Sequence, residues 1–315
     1  MLAITLNKFG STENLSIEEI PGPTIDDDEV LIKVKAISIN PVDVKTRQGK
    51  ALAKQLQHQN PLILGWDISG EIVKRGRNVH SFKVGDQVFG MINFIGHGKA
   101  YAEYASAPAR HLALKPPNIS HAEAAASSLA ALTAWQAFTK YGKLKKGDSV
   151  LIHAAAGGVG HYAVQMAKHL GAHVIGTASG YNKEFIQNLG ADEHINYKET
   201  AFEEVLSNID FALETISGDH FARTVKVVKP GGTIINLPSG LTEEDKKKAR
   251  QKNINATFFM NVYSSGQHMK QIAKLLQKQF IHSHVSKEYQ FNQIKEAHEQ
   301  IESGKTRGKV VLTLN

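Results

Sequence analysis

Residues 149–179 read SVLIHAAAGGVGHYAVQMAKHLGAHVIGTAS, and their reading decides the fold. A short apolar run, 149–154, leads into a glycine turn, after which Val159, Ala163, Ala167 and Leu170 recur at helical spacing. Gly171, just past the last periodic residue, is a helix stop, and a second apolar run, 174–177, follows. The pattern is strand, tight turn, helix, strand: one βαβ unit. Its turn, Ala155-Ala156-Gly157-Gly158-Val159-Gly160, fits G/A-x-G-x-x-G with Ala155 in the first glycine position. Gly157 lets the backbone approach a pyrophosphate, Gly160 lets helix and strand pack closely, and the helix N-terminus offers N–H groups to phosphate oxygens. Ala156, Gly157, Gly158, Val159 and Gly160 are therefore the candidate phosphate-binding residues. A turn that merely packs a helix on a sheet is the alternative, and the flanking strand and helix favour the dinucleotide.

The end of the second strand selects the cofactor. An NAD site places a carboxylate about 20 residues past the glycines for the ribose 2′-OH, whereas an NADP site leaves that place neutral and adds a cation. Here the chain reads Thr177-Ala178-Ser179-Gly180-Tyr181-Asn182-Lys183, without a carboxylate. The expectation is NADPH, with the Ser179 hydroxyl and the Lys183 ammonium on the 2′-phosphate. A solvated surface lysine is the alternative for Lys183.

A chain of 315 residues accommodates two domains, and 42% hydrophobic with 21% charged residues is ordinary for a globular protein. The net charge of +7 permits attraction to anions without requiring nucleic acid. The absence of cysteine excludes disulfides, thiolate catalysis and sulfur-ligated zinc. No signal peptide and no run near 18 apolar residues is present, so the expected location is the cytoplasm, with no membrane partner.

Before this unit, residues 2–6, 15–20 and 30–39 alternate apolar and polar, and 68–73, 87–90 and 101–107 fit further short strands, which predicts a barrel-like β domain. Ser120 and Glu123 form a capping box ahead of an alanine-rich helical stretch, 122–141. Strands 149–154, 174–177, 193–197, 210–213 and 233–237 then alternate with helices, as in a parallel sheet covered on both faces. Helical patterns at 267–278 and 292–303 and a strand at 309–314 close the chain.

These features, with Gly190-Ala191-Asp192 leading to Tyr197 and the terminal Gly304-Lys305-Thr306-Arg307-Gly308-Lys309, resemble the medium-chain dehydrogenase/reductase superfamily, in its zinc-independent quinone oxidoreductase branch. The resemblance implies an α/β protein. Residues 1–117 would be a GroES-like β-rich catalytic domain and 118–259 a Rossmann domain with a doubly wound parallel sheet that binds NADP. Residues 260–315 would return to complete the first domain. Where the superfamily's alcohol dehydrogenases carry a cysteine zinc ligand, this chain has Ser38-Ile39-Asn40-Pro41-Val42-Asp43, and where they carry Gly-His-Glu it has Gly65-Trp66-Asp67. No metal ligand is therefore assigned, and the acceptor implied is a quinone or an α,β-unsaturated carbonyl (enone). By the same resemblance, Asn40 and Asp43 face the substrate cleft and Thr133 lies near the nicotinamide. Tyr197 would sit by the adenosine phosphate, Leu237 and the 258–260 backbone, with Phe258, near the nicotinamide, and Arg307 near the cofactor. A homodimer is also implied.

The residues leave some alternatives open. Asn40 and Asp43 fit turn formers beside Pro41, and Tyr197 fits a core ring. Tyr101 is a proton-donor candidate by side-chain type alone. The pairs His282/His284 and His169/His173 lack a third ligand nearby in sequence. The charge run from Glu243 to Lys252 reads as a solvated helix face. A different class of function is an NADPH-binding redox sensor or an RNA binder on the same fold.

Overall fold

Alternation along the first hundred residues becomes sheet. β1 (Leu2–Leu6) pairs antiparallel with β2 (Leu15–Glu19). In β3 (Glu29–Ile39), Val30, Ile32, Val34 and Ala36 point into the core. α1 (Pro41–Arg47) starts at once, with Pro41 in the first helical position, where its missing N–H costs nothing. There follow α2 (Ala53–Leu56), β4 (Asp67–Arg75), β5 (Gln87–Met91), β6 (Tyr104–Pro108) and β7 (Ala113–Leu114). The alanine-rich stretch splits into α3 (His121–Ala126) and α4 (Leu129–Gln136), and its last part, Ala137–Tyr141, widens into a π-helical turn. The capping box forms as read: Glu123 N–H donates to Ser120 Oγ at 3.1 Å and Ser120 N–H to Glu123 Oε2 at 2.8 Å.

The alternating region supplies β8 (Ser149–Ile152), α5 (Gly160–His169), β9 (His173–Ala178), α6 (Lys183–Asn188), β10 (Glu193–Asn196) and α7 (Phe202–Val205). It continues through β11 (Ile209–Glu214), α8 (His220–Val227), β12 (Val228–Asn236), α9 (Glu243–Gln251) and β13 (Asn255–Thr257). All six strands are parallel, in the order β10-β9-β8-β11-β12-β13. The chain starts in the middle, winds outward to β10, and returns to the other side of β8, so the strand order reverses between β8 and β11. In a doubly wound sheet the ligand crevice lies beyond the carboxyl ends of the strands at that reversal. The core beneath it includes Leu151, Ile175, Phe202, Ala212, Phe221 and Ile234.

The last segment, α10 (Gly266–Gln277), β14 (Val285–Gln290), α11 (Ile294–Glu302) and β15 (Lys309–Thr313), joins the first strands. The resulting seven-stranded sheet runs β14-β15-β3-β4-β5-β7, with β6 also on β3. This computed structural model describes residues 1–238, 240–257 and 260–314. Its contacts divide the chain into two units, Met1–Leu132 with Tyr263–Asn315, and Thr133–Val262. Residues 118–132, expected in the second domain, belong to the first unit because the alanine face of α3 packs on β3, β4 and β15. No helix among the described residues is long and apolar enough to cross a membrane.

Candidate functional site

In the inserted unit the glycine turn has the form its sequence requires. Ala154, directly after His153, adopts a left-handed backbone (φ +47°), Gly157 N–H donates to the Ala154 carbonyl at 2.8 Å, and His161 N–H to the Gly157 carbonyl at 3.0 Å. Ala155 N–H ties the turn to β9 through the Thr177 carbonyl at 3.0 Å. A Cβ on Gly160 would lie 2.2 Å from the Ala154 carbonyl oxygen, so only glycine lets α5 begin this close to the strand. A Cβ on Gly157 would meet only Ala154, at 3.2 Å and beyond, and its outer side is open to a ligand. Ala156 is buried, whereas Gly157, Gly158 and Val159 are half-exposed at the first turn of α5, the end whose N–H groups attract phosphate. These residues fit a pyrophosphate.

At the end of β9, Ser179 is half-buried and its Oγ accepts from Asn182 Nδ2 at 3.3 Å. Lys183 opens α6 and is exposed. It lines a cavity of about 410 Å³ together with Gly180, His194, Asn196, Glu199 and Thr200. Tyr197, 58% exposed, is not a core ring. Thr133 is buried in α4, and Leu237 follows β12, its N–H on the Glu214 carbonyl at 2.9 Å. Phe258 lies outside the described residues, while Met260 N–H is bonded to the Asn236 carbonyl at 2.9 Å.

The first unit holds Asn40, Asp43 and Arg307, and here the structure corrects the reading. Asn40 and Asp43 are not exposed toward a substrate: they are 1% and 0% exposed, inside a buried polar cluster. Asn40 Nδ2 donates to Asp67 Oδ2 at 2.8 Å, and its Oδ1 accepts from Lys309 Nζ at 2.5 Å. Lys309 Nζ also donates to the Ile39 carbonyl at 3.0 Å, and Asp67 Oδ1 accepts from Leu129 N–H at 2.9 Å. Asp43 Oδ2 accepts from Asn40 N–H at 2.5 Å, tying the first turn of α1 to the end of β3. Burial pushes the Asp43 carboxyl up to about 8 against the Asn40 N–H, and burial likewise raises Asp67 to about 7 against Lys309. The same burial lowers the Lys309 ammonium, which the two carboxyls oppose.

Tyr101 is equally buried, which removes it as a donor to an external substrate. Arg47 Nε–H donates to His298 Nδ1 at 3.2 Å, so the proton of the neutral imidazole sits on Nε2, which faces the Tyr101 hydroxyl oxygen at 3.1 Å. Burial, reinforced by Arg47, holds His298 neutral, down to about 3. The Tyr101 O–H is then free to turn toward Asp43, whose Oδ1 completes no hydrogen bond of good geometry. Arg47 in turn is ion-paired to Glu302 of α11. Arg307 is half-buried ahead of β15, close enough to His284 to help lower its pKa. His282 and His284 precede β14, and His169 and His173 fall on two different elements, α5 and β9.

Comparison with known proteins follows this architecture. The alcohol dehydrogenase GroES-like domain model matches residues 26–117, and the zinc-binding dehydrogenase model matches residues 189–312. A 2-methylene-furan-3-one reductase of Solanum lycopersicum is 33% identical over 326 residues, covering 99% of this chain and 79% of the relative. The solved quinone oxidoreductase of Coxiella burnetii is 36% identical, with TM-score 0.94, covering 100% of this chain and 99% of the other. This chain belongs to the medium-chain dehydrogenase/reductase superfamily, in its quinone oxidoreductase branch. The Escherichia coli quinone oxidoreductase complexed with NADPH is 26% identical with TM-score 0.88, each chain covered in full. Within the superfamily this member is an α/β protein, its first unit GroES-like and its inserted unit Rossmann-like. The zinc of the matched model's name does not fit the first unit. The Asn40 amide is committed to Asp67 and Lys309, the Trp66 indole donates to the Gly96 carbonyl at 2.8 Å, and the chain has no cysteine. An ammonium, not a site for a dication, adjoins the two carboxyls.

Proposed function

We propose that this protein is an NADPH-dependent reductase that delivers hydride to a quinone or an α,β-unsaturated carbonyl without a metal at the reacting carbonyl. The observation that carries the cofactor choice is the end of β9. Ser179 stands where a carboxylate would select NAD, and Lys183 lines the adjoining cavity with His194, so an extra phosphate finds donors and no acid at the strand end. Glu199 is the one acid among the lining residues of that cavity, beside Lys183 and His194. A relative named as a 2-methylene-furan-3-one reductase supports the enone class, and the NADPH complex of the Escherichia coli enzyme supports the cofactor.

When bound, the nicotinamide supplies the hydride. The chain's own task is to bind, orient and exclude water: the turn 156–160 would hold the pyrophosphate, and Thr133 and Leu237 would flank the nicotinamide. In an enone the β-carbon gains hydride and the α-carbon a proton; in a quinone both oxygens end protonated. Asn40 and Asp43 act as positioning groups, since Asp43 Oδ2 fixes α1 to the end of β3 and the Asn40 amide ties that end to Asp67 and Lys309.

Turnover with benzoquinone, naphthoquinone and short enals, using NADPH and NADH after chelator treatment, tests this reading. NADPH-preferring, chelator-resistant turnover supports it; NADPH binding without turnover on any acceptor overturns the reductase and leaves a sensor. The Ser179→Ala/Lys183→Ala double variant should raise the KM for NADPH about tenfold to a hundredfold and leave that for NADH nearly unchanged, because two charge-assisted contacts contribute about 1.5–3 kcal/mol each before desolvation. Equal loss with both cofactors would remove the 2′-phosphate assignment.

A further inference from the structure

We propose that His153, Glu214 and His220 form a binding site in the inserted unit for one transition-metal dication of the zinc class, separate from the zinc positions of the alcohol dehydrogenases. His153 directly follows β8 and Glu214 ends β11, the two strands between which the strand order reverses, and His220 opens α8. One ligand atom from each lies within 4.8 Å of the others. The His153 and Glu214 side chains are 0% exposed and that of His220 is 12% exposed, which leaves an entry on its side.

The three groups are held as metal ligands are held. His153 Nδ1 rests against Thr177 Oγ1 at 3.2 Å, which turns Nε2 toward Glu214 Oε2 at 3.8 Å. Glu214 Oε1 accepts from Ile216 N–H at 2.8 Å, leaving Oε2 to face both rings, with His220 Nδ1 2.8 Å from it. Outer partners of this kind fix the tautomer and direction of ligating groups. Phe202 packs at a tilt against both imidazoles, with ring centroids 4.7 and 5.1 Å away, and keeps that side dry. Bonds of about 2.0–2.1 Å in a tetrahedral site separate ligand atoms by roughly 3.3 Å, which lies between the 2.8 and 3.8 Å from Glu214 to the two imidazoles; the third pair lies within 4.8 Å and closes up as the ion binds.

Charge and protons also balance. Among the described residues, the ion-pair partners of the Glu214 carboxylate are these two imidazoles, and the nearby Arg223 is engaged by Glu203 at 2.6 and 2.8 Å. Thr224 Oγ1 now bridges His153 Nε2 and Glu214 Oε2, at 3.1 and 2.8 Å. When a metal takes those atoms, the His153 proton moves to Nδ1 and is donated to Thr177 Oγ1. The Thr224 hydroxyl turns to the His220 carbonyl, already 3.1 Å away, and His220, whose Nδ1–H donates to Glu214 Oε2 in the empty site, carries its proton on Nε2 instead. Each imidazole then offers the ion an unprotonated nitrogen. Two imidazole nitrogens and one carboxylate oxygen suit zinc, cobalt or nickel, and supply too few oxygens for calcium or magnesium. The bound ion would tie the ends of β8 and β11 to α8.

The test uses full-length protein stripped with chelator and titrated with zinc chloride or cobalt chloride. The expected result is one cobalt per chain with the visible absorption of a four-coordinate ion, a zinc-dependent rise in thermal midpoint, and at least about tenfold weaker binding in His220→Ala. The His282→Ala/His284→Ala variant should bind as the parent does. Binding unchanged by His220→Ala, or no saturable binding in the parent, overturns the proposal. Should His220→Ala fail to fold, anomalous diffraction from zinc-soaked crystals of the parent decides it: a peak between His153 Nε2 and Glu214 Oε2 supports the site, and zinc found only elsewhere refutes it.

Discussion

Asp43 holds its proton in the folded protein to about pH 8, against 3.8 for an ordinary aspartate, because burial penalises its anion. Across that interval the native state binds more protons than the unfolded one, so this residue's contribution to stability is full in acid and drains away as pH rises. Buried His153 and His298, each lowered to about 3 from 6.5, work in the opposite direction but only below about pH 6.5. Asp43→Asn should therefore gain about 1–2 kcal/mol relative to the parent between pH 6.5 and 8, read from urea midpoints at the two pH values. An equal slope in parent and variant would place the proton elsewhere. What sequence reading described well is local: the tight glycine turn at 156–160 and the carboxylate-free end of β9. It missed the role of Lys309 because Asn40, its partner, lies 269 residues away. It read Asn40 and Asp43 as substrate-facing because a motif records spacing and not burial.

Elements were legible wherever one face is apolar and the ends are marked. α3 announces itself through its capping box, α5 through glycines on both sides, and α9 through acids before bases, with Lys246–Glu243 and Lys248–Glu244 pairs on its solvated face. β13 and β14 escaped notice: Asn255-Ala256-Thr257 is three residues long, and in Val285–Gln290 only Tyr289 is buried. Such edge strands are recruited by a neighbour's backbone and carry no period of their own. The junction of β8 and α5 gives the sharpest test at this scale. Gly160→Ala would drive a Cβ against the backbone of Ala154 and Ala155, at 2.2 and 2.8 Å, where neither can retreat. The expected outcome is a loss of about 1–3 kcal/mol in urea unfolding, with NADPH binding by fluorescence weakened at least tenfold. Unchanged binding would mean that the turn does not grip the cofactor.

At the level of the whole molecule, the first unit is written in two pieces separated by the 130 residues of Thr133–Val262. The sheet cannot close without the second piece, because β15 sits between β14 and β3 and carries Lys309 to the two aspartates. Deleting residues 305–315 should thus abolish the thermal transition of the first unit, while hydrogen exchange still protects β8, β9 and β11 of the inserted one. Protection of β3 and β4 persisting in the deletion would contradict this. Alternation of strands and helices announced the inserted sheet, but nothing local said that α3 would join the first unit, since an alanine face packs on any sheet.

The split also sets a timetable during synthesis. Residues 133–262 leave the ribosome as a finished sentence with all six strands in hand, whereas β3 and β4 emerge early and must wait for a strand more than two hundred residues downstream. For that interval Asp43 and Asp67 have no Lys309 to meet, and apolar faces of β3 and β4 stand uncovered in the nascent chain. The early-made half of this protein is therefore the late-folding half, and the one that gains most from a chaperone.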